Sequence, residues 1–390
     1  MQLKVSSLLA FTSAFVFASA TTSTSTPTTS NFIVFGNSLS DNGNTGKLLN
    51  STIYWDGRFS NSYVWDEYAA KLLGMTLVNN AYGGATCNND ITPSQMGSVT
   101  IPSFHDQVTD WLSSNPSPSQ FNLDNDIIEI EIGSNDILNN EAGLANGTVD
   151  VTALVTNVSS SISADIKSLI EAGYKNINLW NLPAIELTPL ANSMNASSLV
   201  APIVQAMNNA IAELVNGVFE SAKGTTQSTN IFDIHTLMTT CLQPEVLSAF
   251  GITDSTDACY TTDSNNTPSI CSDPDEHFFY DDIHPASRMH YIWGVSAAIV
   301  TLNPSASLGT NEVLSIINAF NIGSSSRTDN IIANGTSSSE SGFITEDSSS
   351  SGSESDSDDV ESSSDHSKSG AATLRSSGLI LLALAAFAFL

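Results

Sequence analysis

The stretch Asn31-Phe-Ile-Val-Phe-Gly-Asn-Ser-Leu-Ser-Asp41 decides the fold of this 390-residue chain. Its apolar residues 32–35 are typical of a buried strand, and Gly36 ends the run just before a polar turn. That turn carries Ser38 to the carboxyl end of the predicted strand, where parallel α/β sheets place their ligands and reactive groups. The stretch therefore predicts a first β-strand that holds a candidate nucleophile at its end.

Further apolar runs, each followed by polar or turn residues, predict the rest of a sheet. Helical patterns separate them, and helices of this length between strands predict βαβ units and a mainly parallel sheet covered on both faces. The predicted strands are 32–35, 78–81, 127–132, 177–182 and 231–234, and the predicted helices are 62–73, 154–172, 198–222 and 287–301.

The segment Asp281-Asp-Ile-His284-Pro285 supplies possible partners for Ser38. A hydroxyl is a poor nucleophile near neutral pH, so it needs a base to take its proton and a third group to orient that base. His284 can be the base and Asp281 the orienting acid, with Asp282 as the alternative. The G-x-S-x-G motif of α/β-hydrolases is not matched, because a second serine stands two residues after Ser38.

Two further segments can donate hydrogen bonds to a developing oxyanion. They are Asn79-Asn-Ala-Tyr-Gly-Gly-Ala-Thr86 and Ile132-Gly-Ser-Asn-Asp136. A glycine pair lets backbone N–H groups approach a ligand closely, and an asparagine amide at a strand end can donate to the same oxygen. Four short segments in this order are a specific signal of acyl transfer.

In these four segments the chain resembles the GDSL or SGNH hydrolases, over roughly residues 31–303. The resemblance implies a flavodoxin-like three-layer α/β/α sandwich with a mainly parallel five-stranded sheet. It also implies the site residues. They are the nucleophile and first oxyanion donor Ser38, the second donor Gly84 with Gly83 as its fallback, the third donor Asn135, the base His284 and, behind it, Asp281.

The segment Asp56-Gly-Arg-Phe-Ser-Asn-Ser-Tyr-Val-Trp-Asp-Glu-Tyr68 resembles a block of secreted microbial lipases and fungal acetylesterases of the same clan. Arg58, Trp55 and Tyr82 are our candidates for residues that line the substrate cleft, and Trp180 is a further aromatic candidate. One departure stands in the first segment, where the family usually has Gly-Asp-Ser and this chain has Asn37 before the serine.

The resemblance implies an extracellular carboxylic ester hydrolase that uses no metal and no organic cofactor. The expected substrate is an acetylated polysaccharide or another short-chain ester, with lipid or lysophospholipid esters as the alternative. A non-catalytic, anchored cell-wall protein that keeps the fold is the non-enzymatic rival. Glu129 and Glu131 alternate with isoleucines and could suggest a glycosidase pair, but we interpret them as a polar or partly exposed face of the sheet.

The two ends of the chain predict secretion and a lipid anchor. An apolar stretch ends at the small-residue site Ala18-Ser-Ala20, and the last thirteen residues, 378–390, are apolar but too few to span a bilayer comfortably. The predicted organisation is a signal peptide (1–20), a Ser/Thr-rich linker (21–30), the esterase domain (31–322), a disordered, acidic, serine-rich stalk (323–369) and a glycosylphosphatidylinositol-anchor signal (370–390). We expect a monomer at the cell surface.

The net charge of −29 argues against nucleic acid and anionic lipid headgroups as partners, so that a membrane is contacted only through the anchor. Four cysteines in a secreted chain predict two disulfides with three possible pairings. Proximity favours Cys259 with Cys271, which leaves Cys87 with Cys241. Predicted N-glycosylation sites agree with secretion and lie at Asn50, Asn146, Asn157, Asn195, Asn265 and Asn334.

Overall fold

A computed structural model describes residues 30–46, 53–114, 121–263 and 267–336. Its centre is a five-stranded sheet with the order β2-β1-β5-β6-β7, in which every neighbouring pair is parallel. These strands are β1 (Asn31–Gly36), β2 (Thr76–Asn79), β5 (Ile127–Glu131), β6 (Asn176–Trp180) and β7 (Ser228–Phe232). The predicted parallel sheet is confirmed, with strand bounds shifted by a few residues.

Short strands outside this sheet form three two-stranded pairs. They are β3 (Gln95–Met96) with β4 (Val99–Thr100), β8 (Asp254–Ala258) with β11 (His277–Phe279), and β9 (Tyr260–Thr262) with β10 (Pro268–Ile270).

Twelve helices are described, together with single 3₁₀ turns that include Trp55–Gly57, Ile185–Leu187 and Ile322–Ser324. The helices are α1 (Trp65–Leu73), α2 (Phe104–Ser114), α3 (Ser134–Leu138), α4 (Glu141–Asn146), α5 (Val151–Glu171), α6 (Pro189–Ser193), α7 (Ser197–Ser221), α8 (Ile234–Cys241), α9 (Pro244–Phe250), α10 (Ser287–Leu302), α11 (Thr310–Ala319) and α12 (Ala333–Thr336).

The alternation of side chains along β1 divides the core into two layers. Phe32 and Val34 face a cluster formed with α1, α8, α9, α10 and α11, whereas Ile33 and Phe35 face a second cluster formed with α2, α5 and α7. Because successive strand residues point to opposite faces, a continuous apolar strand must be covered on both sides. The result is the predicted three-layer α/β/α sandwich.

Helix α7 is long and apolar enough to cross a membrane, the one such helix among the described residues. Its buried residues recur at helical spacing from Val200 through Val204, Ile211 and Val215 to Phe219. They pack in the second cluster beside α5. A one-sided apolar face of this kind is typical of a helix that covers a sheet.

One of the two predicted disulfides is present and the other prediction is wrong. Cys259 and Cys271 are bonded, but Cys87 and Cys241 are free and buried. Cys241 packs in the first core cluster and Cys87 in the second, so the sheet lies between their two layers. Thiols on opposite sides of a sheet cannot reach the geometry of a disulfide.

The folded domain continues beyond residue 322, which corrects the predicted start of the stalk. Ser325 and Asn330 are buried, and Ile331 and Ile332 pack against the first cluster. Arg288 on α10 donates to the carbonyl of Ser325 at 3.2 Å. The serine-rich composition of this segment predicted disorder, although the segment also contains Ile331 and Ile332, which pack against the core. The predicted signal peptide, the stalk beyond residue 336 and the anchor signal lie outside the described residues.

Candidate active site

The turn after β1 holds Ser38 through contacts of the residue before it. The side chain of Asn37 accepts from the N–H of Leu39 at 3.0 Å, and its carbonyl accepts from the N–H of Ser40 at 3.1 Å. The Nδ2 of Asn37 also donates to Oε1 of Glu131 on β5 at 3.0 Å. The amide that replaces the family aspartate thus fixes the turn against the neighbouring strand.

His284 lies between Ser38 and Asp281. Its Nε2 is 2.7 Å from Oγ of Ser38, and its Nδ1 is 2.7 Å from Oδ2 of Asp281. An ionised carboxylate can only accept, so Nδ1 carries the ring proton and Nε2 is left to accept the Ser38 proton. Asp282 is exposed and does not contact the imidazole, which favours Asp281 over that alternative.

Asp281 is held as a carboxylate by four donors. Its Oδ1 accepts from the N–H groups of Ile283 at 2.8 Å and His284 at 2.6 Å, and its Oδ2 accepts from His284 and from the hydroxyl of Tyr54. Burial raises the pKa of Asp281, but the charge and hydrogen bonds of His284 and the Tyr54 hydroxyl outweigh it. The pKa of Asp281 therefore lies below its ordinary value.

Two aromatic residues that the sequence did not single out complete the surroundings of the imidazole. The hydroxyl of Tyr54 donates to Oδ2 of Asp281 at 2.7 Å, and the ring of Phe59 lies 5.1 Å from the ring of His284. Burial and the charge of Asp281 raise the pKa of Tyr54, so its hydroxyl stays protonated and remains a donor. The only sequence feature that pointed to Phe59 was its place in the family-like block. Tyr54 precedes that block, and no motif pointed to it.

The predicted cleft-lining residues do not line the small cavity beside Ser38, and Arg58 in particular is engaged elsewhere. The guanidinium of Arg58 makes two 2.7 Å bonds to Glu67 and stacks 4.6 Å from the centre of the Trp55 ring. Tyr82 faces a different hollow beside α2. Trp180 is buried and donates to a core carboxylate. Arg58 therefore braces the start of α1 through its ion pair.

The three predicted oxyanion donors each keep a proton for a further hydrogen bond. Among the residues that the structure describes, the N–H groups of Ser38 and Gly84 have no acceptor in the protein. The N–H of Gly83 already bonds to Asp41 at 2.8 Å and to Thr45 at 2.7 Å, so the fallback has no free donor. The amide of Asn135 uses one proton on the carbonyl of Ala85 at 2.9 Å and keeps the other.

The two glycines of this segment are required for different reasons, Gly84 by its backbone conformation and Gly83 by a neighbouring side chain. Gly84 has φ +86°, a conformation that side chains disfavour. A Cβ on Gly83 would lie 2.1 Å from the ring of Phe59, which itself packs on His284. The absence of a side chain at position 83 thus lets Phe59 close over the base.

A small cavity of about 20 Å³ adjoins Ser38 and Asn135. It has room for little more than one water-sized group. Gly84 is not part of its wall. The other lining residues, which are mostly apolar, are Asn37, Leu39, Ser134, Leu138, Pro183, Ile185, Thr188, Met238, Ile283, Pro285 and Trp293.

Glu129 and Glu131 lie on one face of β5, but that face is buried, which corrects the expectation of a polar or partly exposed face. Each residue is 1 % exposed. Glu129 accepts from Asn178 and Trp180, at 2.7 and 2.9 Å. Burial raises the pKa of each carboxyl to about 7. Both carboxyls are thus enclosed in hydrogen-bonded networks of the core.

A possible metal-ligand cluster in the described part of the chain contains Cys259, Cys271 and His277. The two sulfurs are joined in the disulfide, so neither offers the thiolate that a metal would need. These residues do not fit a metal site in the oxidised protein.

A parallel α/β sheet with a serine, a histidine and an aspartate in hydrogen-bond contact at its carboxyl edge defines a class, the serine hydrolases of layered α/β fold. More specifically, residues 32–294 match the model of the GDSL-like Lipase/Acylhydrolase family. The match covers more than half of the chain, and the chain belongs to this family.

Several curated relatives are similar over part of their length. A thermolabile hemolysin of Vibrio parahaemolyticus is 25% identical over 66% of this chain and 60% of its own length. A phosphatidylcholine-sterol acyltransferase of Aeromonas hydrophila is 29% identical over 60% of this chain and 67% of its own. An acetylesterase of Thermothelomyces thermophilus is 28% identical over 54% and 65%, respectively. The chain thus spans about 60% of the length of the hemolysin.

Among solved structures, an alpha/beta hydrolase from the metagenome of Lake Arreo has a TM-score of 0.37 and 15% identity, over 70% of this chain and 94% of its own. A catalytic mutant of an acetylxylan esterase from Geobacillus stearothermophilus has a TM-score of 0.35 and 13% identity, over 70% and 92%. Both are distant likenesses.

Proposed function

We propose that this protein is a serine carboxylic ester hydrolase that removes acetyl or other short acyl groups, with carbohydrate esters as its substrates. The observation that carries the proposal is the pair of 2.7 Å contacts that joins Ser38 to His284 and His284 to Asp281. Membership in the acylhydrolase family and the similarity to an acetylesterase support the same reaction class.

In the proposed reaction Oγ of Ser38 attacks the ester carbonyl carbon while its proton passes to Nε2 of His284. Collapse of the tetrahedral intermediate breaks the bond to the alcohol, which leaves with the proton from His284. Water then attacks the acyl-enzyme, gives a proton to the same nitrogen and releases the carboxylic acid. The hydroxyl of Ser38 recovers its proton in that last step. Asp281 keeps the imidazole oriented and stabilises its charged form.

The negative oxygen of both tetrahedral intermediates would be held by the N–H of Ser38, the N–H of Gly84 and the amide of Asn135. Each of these donors has a proton that the described protein does not use, which leaves it available when charge develops. Donors fixed in advance in a site with little water are worth far more than donors in bulk solvent, because no solvent has to reorient.

The size of the cavity supports a short acyl group. A volume of about 20 Å³ beside Ser38 fits the methyl group of an acetyl ester, whereas a fatty acyl chain would need a groove many times longer. The relatives named as a hemolysin and an acyltransferase keep lipid esters as the alternative substrate class. The two alternatives differ in the acyl length they require.

Location at the cell surface remains part of the proposal. It rests on residues 1–20 and 370–390, which the structure does not describe. The disulfide between Cys259 and Cys271 supports an oxidising compartment, because such bonds persist outside the reducing cytosol. All residues of the proposed site come from one chain, so the reaction as proposed does not require a second subunit.

Nitrophenyl esters of increasing acyl length test the proposal on the secreted protein. We expect acetate to be cleaved best, octanoate hardly at all, and Ser38→Ala to lose at least about 10³-fold in kcat. A fluorophosphonate probe should label the native protein and leave the alanine variant unlabelled. Preference for octanoate would establish the lipase alternative, and no labelling of the native protein would establish the non-catalytic one.

Widening the cavity sharpens this test. Leu138, at the end of α3, lines the cavity and is only partly buried, so Leu138→Ala should enlarge the site without breaking the core. We expect the ratio of butyrate to acetate hydrolysis to rise about tenfold, as for one or two added methylenes. Leu214→Ala, on the exposed face of α7, is the matched control and should leave that ratio unchanged.

A further inference from the structure

A second, polar cleft of about 550 Å³ lies beyond the carboxyl ends of β6 and β7. Asn181 follows β6 and Asp233 follows β7, and both line it. The first half of α7, with Gln205 and Asn209, forms the opposite wall. The cleft therefore opens on the same edge of the sheet as Ser38 and Asn135, where this class of fold binds its ligands.

The cleft shares two walls with the acyl cavity. On the 3₁₀ turn Ile185–Leu187, Ile185 lines the cavity and the next residue, Glu186, lines the cleft. On α8, Met238 lines the cavity, and His235, one turn earlier, lines the cleft. A substrate with its acyl group beside Ser38 would thus have the rest of its body next to the cleft.

A buried carboxylate in the cleft has an acceptor to spare. Glu186 is 8 % exposed, and its Oε1 is 2.9 Å from Nε2 of His235. Its Oε2 has no hydrogen-bond partner among the residues that the structure describes. A buried carboxylate oxygen without a donor is unfavourable, so a rotation of the Glu186 side chain that brings Oε2 to a ligand hydroxyl group in the cleft would be favoured.

The remaining chemistry of the cleft indicates which ligand fits. Gln205 and Asn209 are exposed amides, each able to donate and to accept, and Thr236 adds a hydroxyl. Lysine and arginine are absent from the described residues that line it, which disfavours an anionic ligand. Few apolar side chains are present, which disfavours an acyl chain. Adjacent donors and acceptors without a lysine or arginine suit the hydroxyl groups of a neutral sugar.

We propose that this cleft binds the sugar residues of an O-acylated glycan whose acyl group occupies the cavity beside Ser38. The proposal rests on the ester hydrolase function above and names its substrate class. Glu186 accepts a sugar hydroxyl, and Gln205 and Asn209 hydrogen-bond to a neighbouring ring. Contacts with the glycan chain then determine substrate specificity, because the small acyl cavity contacts only the acyl group.

Binding of sugars that carry no ester tests the cleft separately from catalysis. Calorimetry of the secreted protein with xylotetraose, mannotetraose and cellotetraose should detect binding of at least one. The double variant Gln205→Ala/Asn209→Ala should bind that sugar about tenfold more weakly, as expected for the loss of two neutral hydrogen bonds. Gln227→Ala, an exposed glutamine just before β7 at the opposite edge of the sheet, is the matched control and should bind like the native protein.

A second measurement links the cleft to turnover. In the double variant, kcat/KM on the acetylated form of the bound tetrasaccharide, divided by kcat/KM on nitrophenyl acetate, should fall about tenfold. If no tetrasaccharide bound, or if the ratio of the two kcat/KM values stayed unchanged, the sugar-binding cleft would be overturned. The ester hydrolase proposal would still stand as long as cleavage of nitrophenyl acetate depended on Ser38. If Ser38→Ala cleaved that ester as well as the native protein, the hydrolase itself would be overturned, and calorimetry would still decide the cleft.

Discussion

Replacing Glu131 by glutamine should make the protein more stable at alkaline pH. Glu131 is 1 % exposed at the end of β5, and its carboxyl accepts from Nδ2 of Asn37 at 3.0 Å and from Oγ of Ser40 at 3.2 Å. Burial raises its pKa from 4.5 to about 7, against the opposing effect of these hydrogen bonds. The folded protein therefore holds a proton that the unfolded chain has already released.

The sign and size of the effect follow from this difference. Between pH 4.5 and about 7 the unfolded chain binds fewer protons at this position than the folded one, so the free energy of unfolding falls as the pH rises. At about 1.4 kcal/mol for each pH unit, the loss amounts to about 3 kcal/mol. Glutamine does not titrate, and its amide can accept from Asn37 and donate to Ser40. Glu131→Gln should thus match the native protein near pH 4 and exceed its stability by about 3 kcal/mol at pH 8.

Equilibrium unfolding in urea at pH 4, 5, 6, 7 and 8 measures this difference directly. The control is Glu213→Gln, the same change on the exposed side of α7. Its free energy of unfolding should differ from that of the native protein by nearly the same amount at every pH. A difference for Glu131→Gln that varied by less than about 1 kcal/mol over the range would refute the reasoning, since it would mean that Glu131 is ionised in the folded state throughout.

Three further outcomes are expected. Tyr54→Phe should lower the free energy of unfolding at pH 7 by about 1.5–3 kcal/mol, and urea titrations should show that the deficit shrinks as the pH falls through the depressed pKa of Asp281; a deficit unchanged down to the lowest pH at which the protein stays folded would contradict it. Asn135→Ala should reduce kcat on nitrophenyl acetate by about 10²–10³ with little change in KM, and an unaltered kcat would exclude it as an oxyanion donor. The double change Cys259→Ser/Cys271→Ser should cost about 2–3 kcal/mol in thermal unfolding, and dithiothreitol should then lower the melting temperature of the native protein only.

The overall fold could be predicted because its determinants are local in sequence. Each strand of the main sheet overlaps one of the predicted apolar runs, and the helices between them have regular apolar spacing, as in α7. The start of α1 was predicted at residue 62 and lies at Trp65, because Glu67 bonds to the N–H of Val64 and fixes the first turn there. Boundaries of this kind depend on a single side-chain contact.

Much of the candidate site was open to prediction for a different reason. Ser38 and His284 stand in short motifs whose residue types fit one reaction, and the structure places their side chains 2.7 Å apart. Tyr54 carries no such signal, since its contact with Asp281 spans 227 positions of the chain. The catalytic roles themselves stay predictions until the variants are measured.

The wrong predictions share a physical cause, which is that sequence patterns do not show what lies opposite a side chain. Arg58 was a candidate for the substrate cleft because it stands in the family-like block, but its guanidinium is paired with Glu67. Glu129 was expected on a polar or partly exposed face because it is charged, yet it is buried under α10, and this burial raises its pKa to about 7. Cys241 was paired by elimination, without knowledge of the layer in which it lies.

The long separation between the proposed nucleophile and its proposed base has a consequence for the growing polypeptide. Ser38 is synthesised 246 positions before His284, so a nascent chain carries the hydroxyl without the group that activates it. Since folding can begin before synthesis ends, the sheet around Ser38 can form early, while the serine stays unreactive until His284 is present. A chain that stops before position 281 should fail to react with a fluorophosphonate, and ester cleavage would begin only with the finished product.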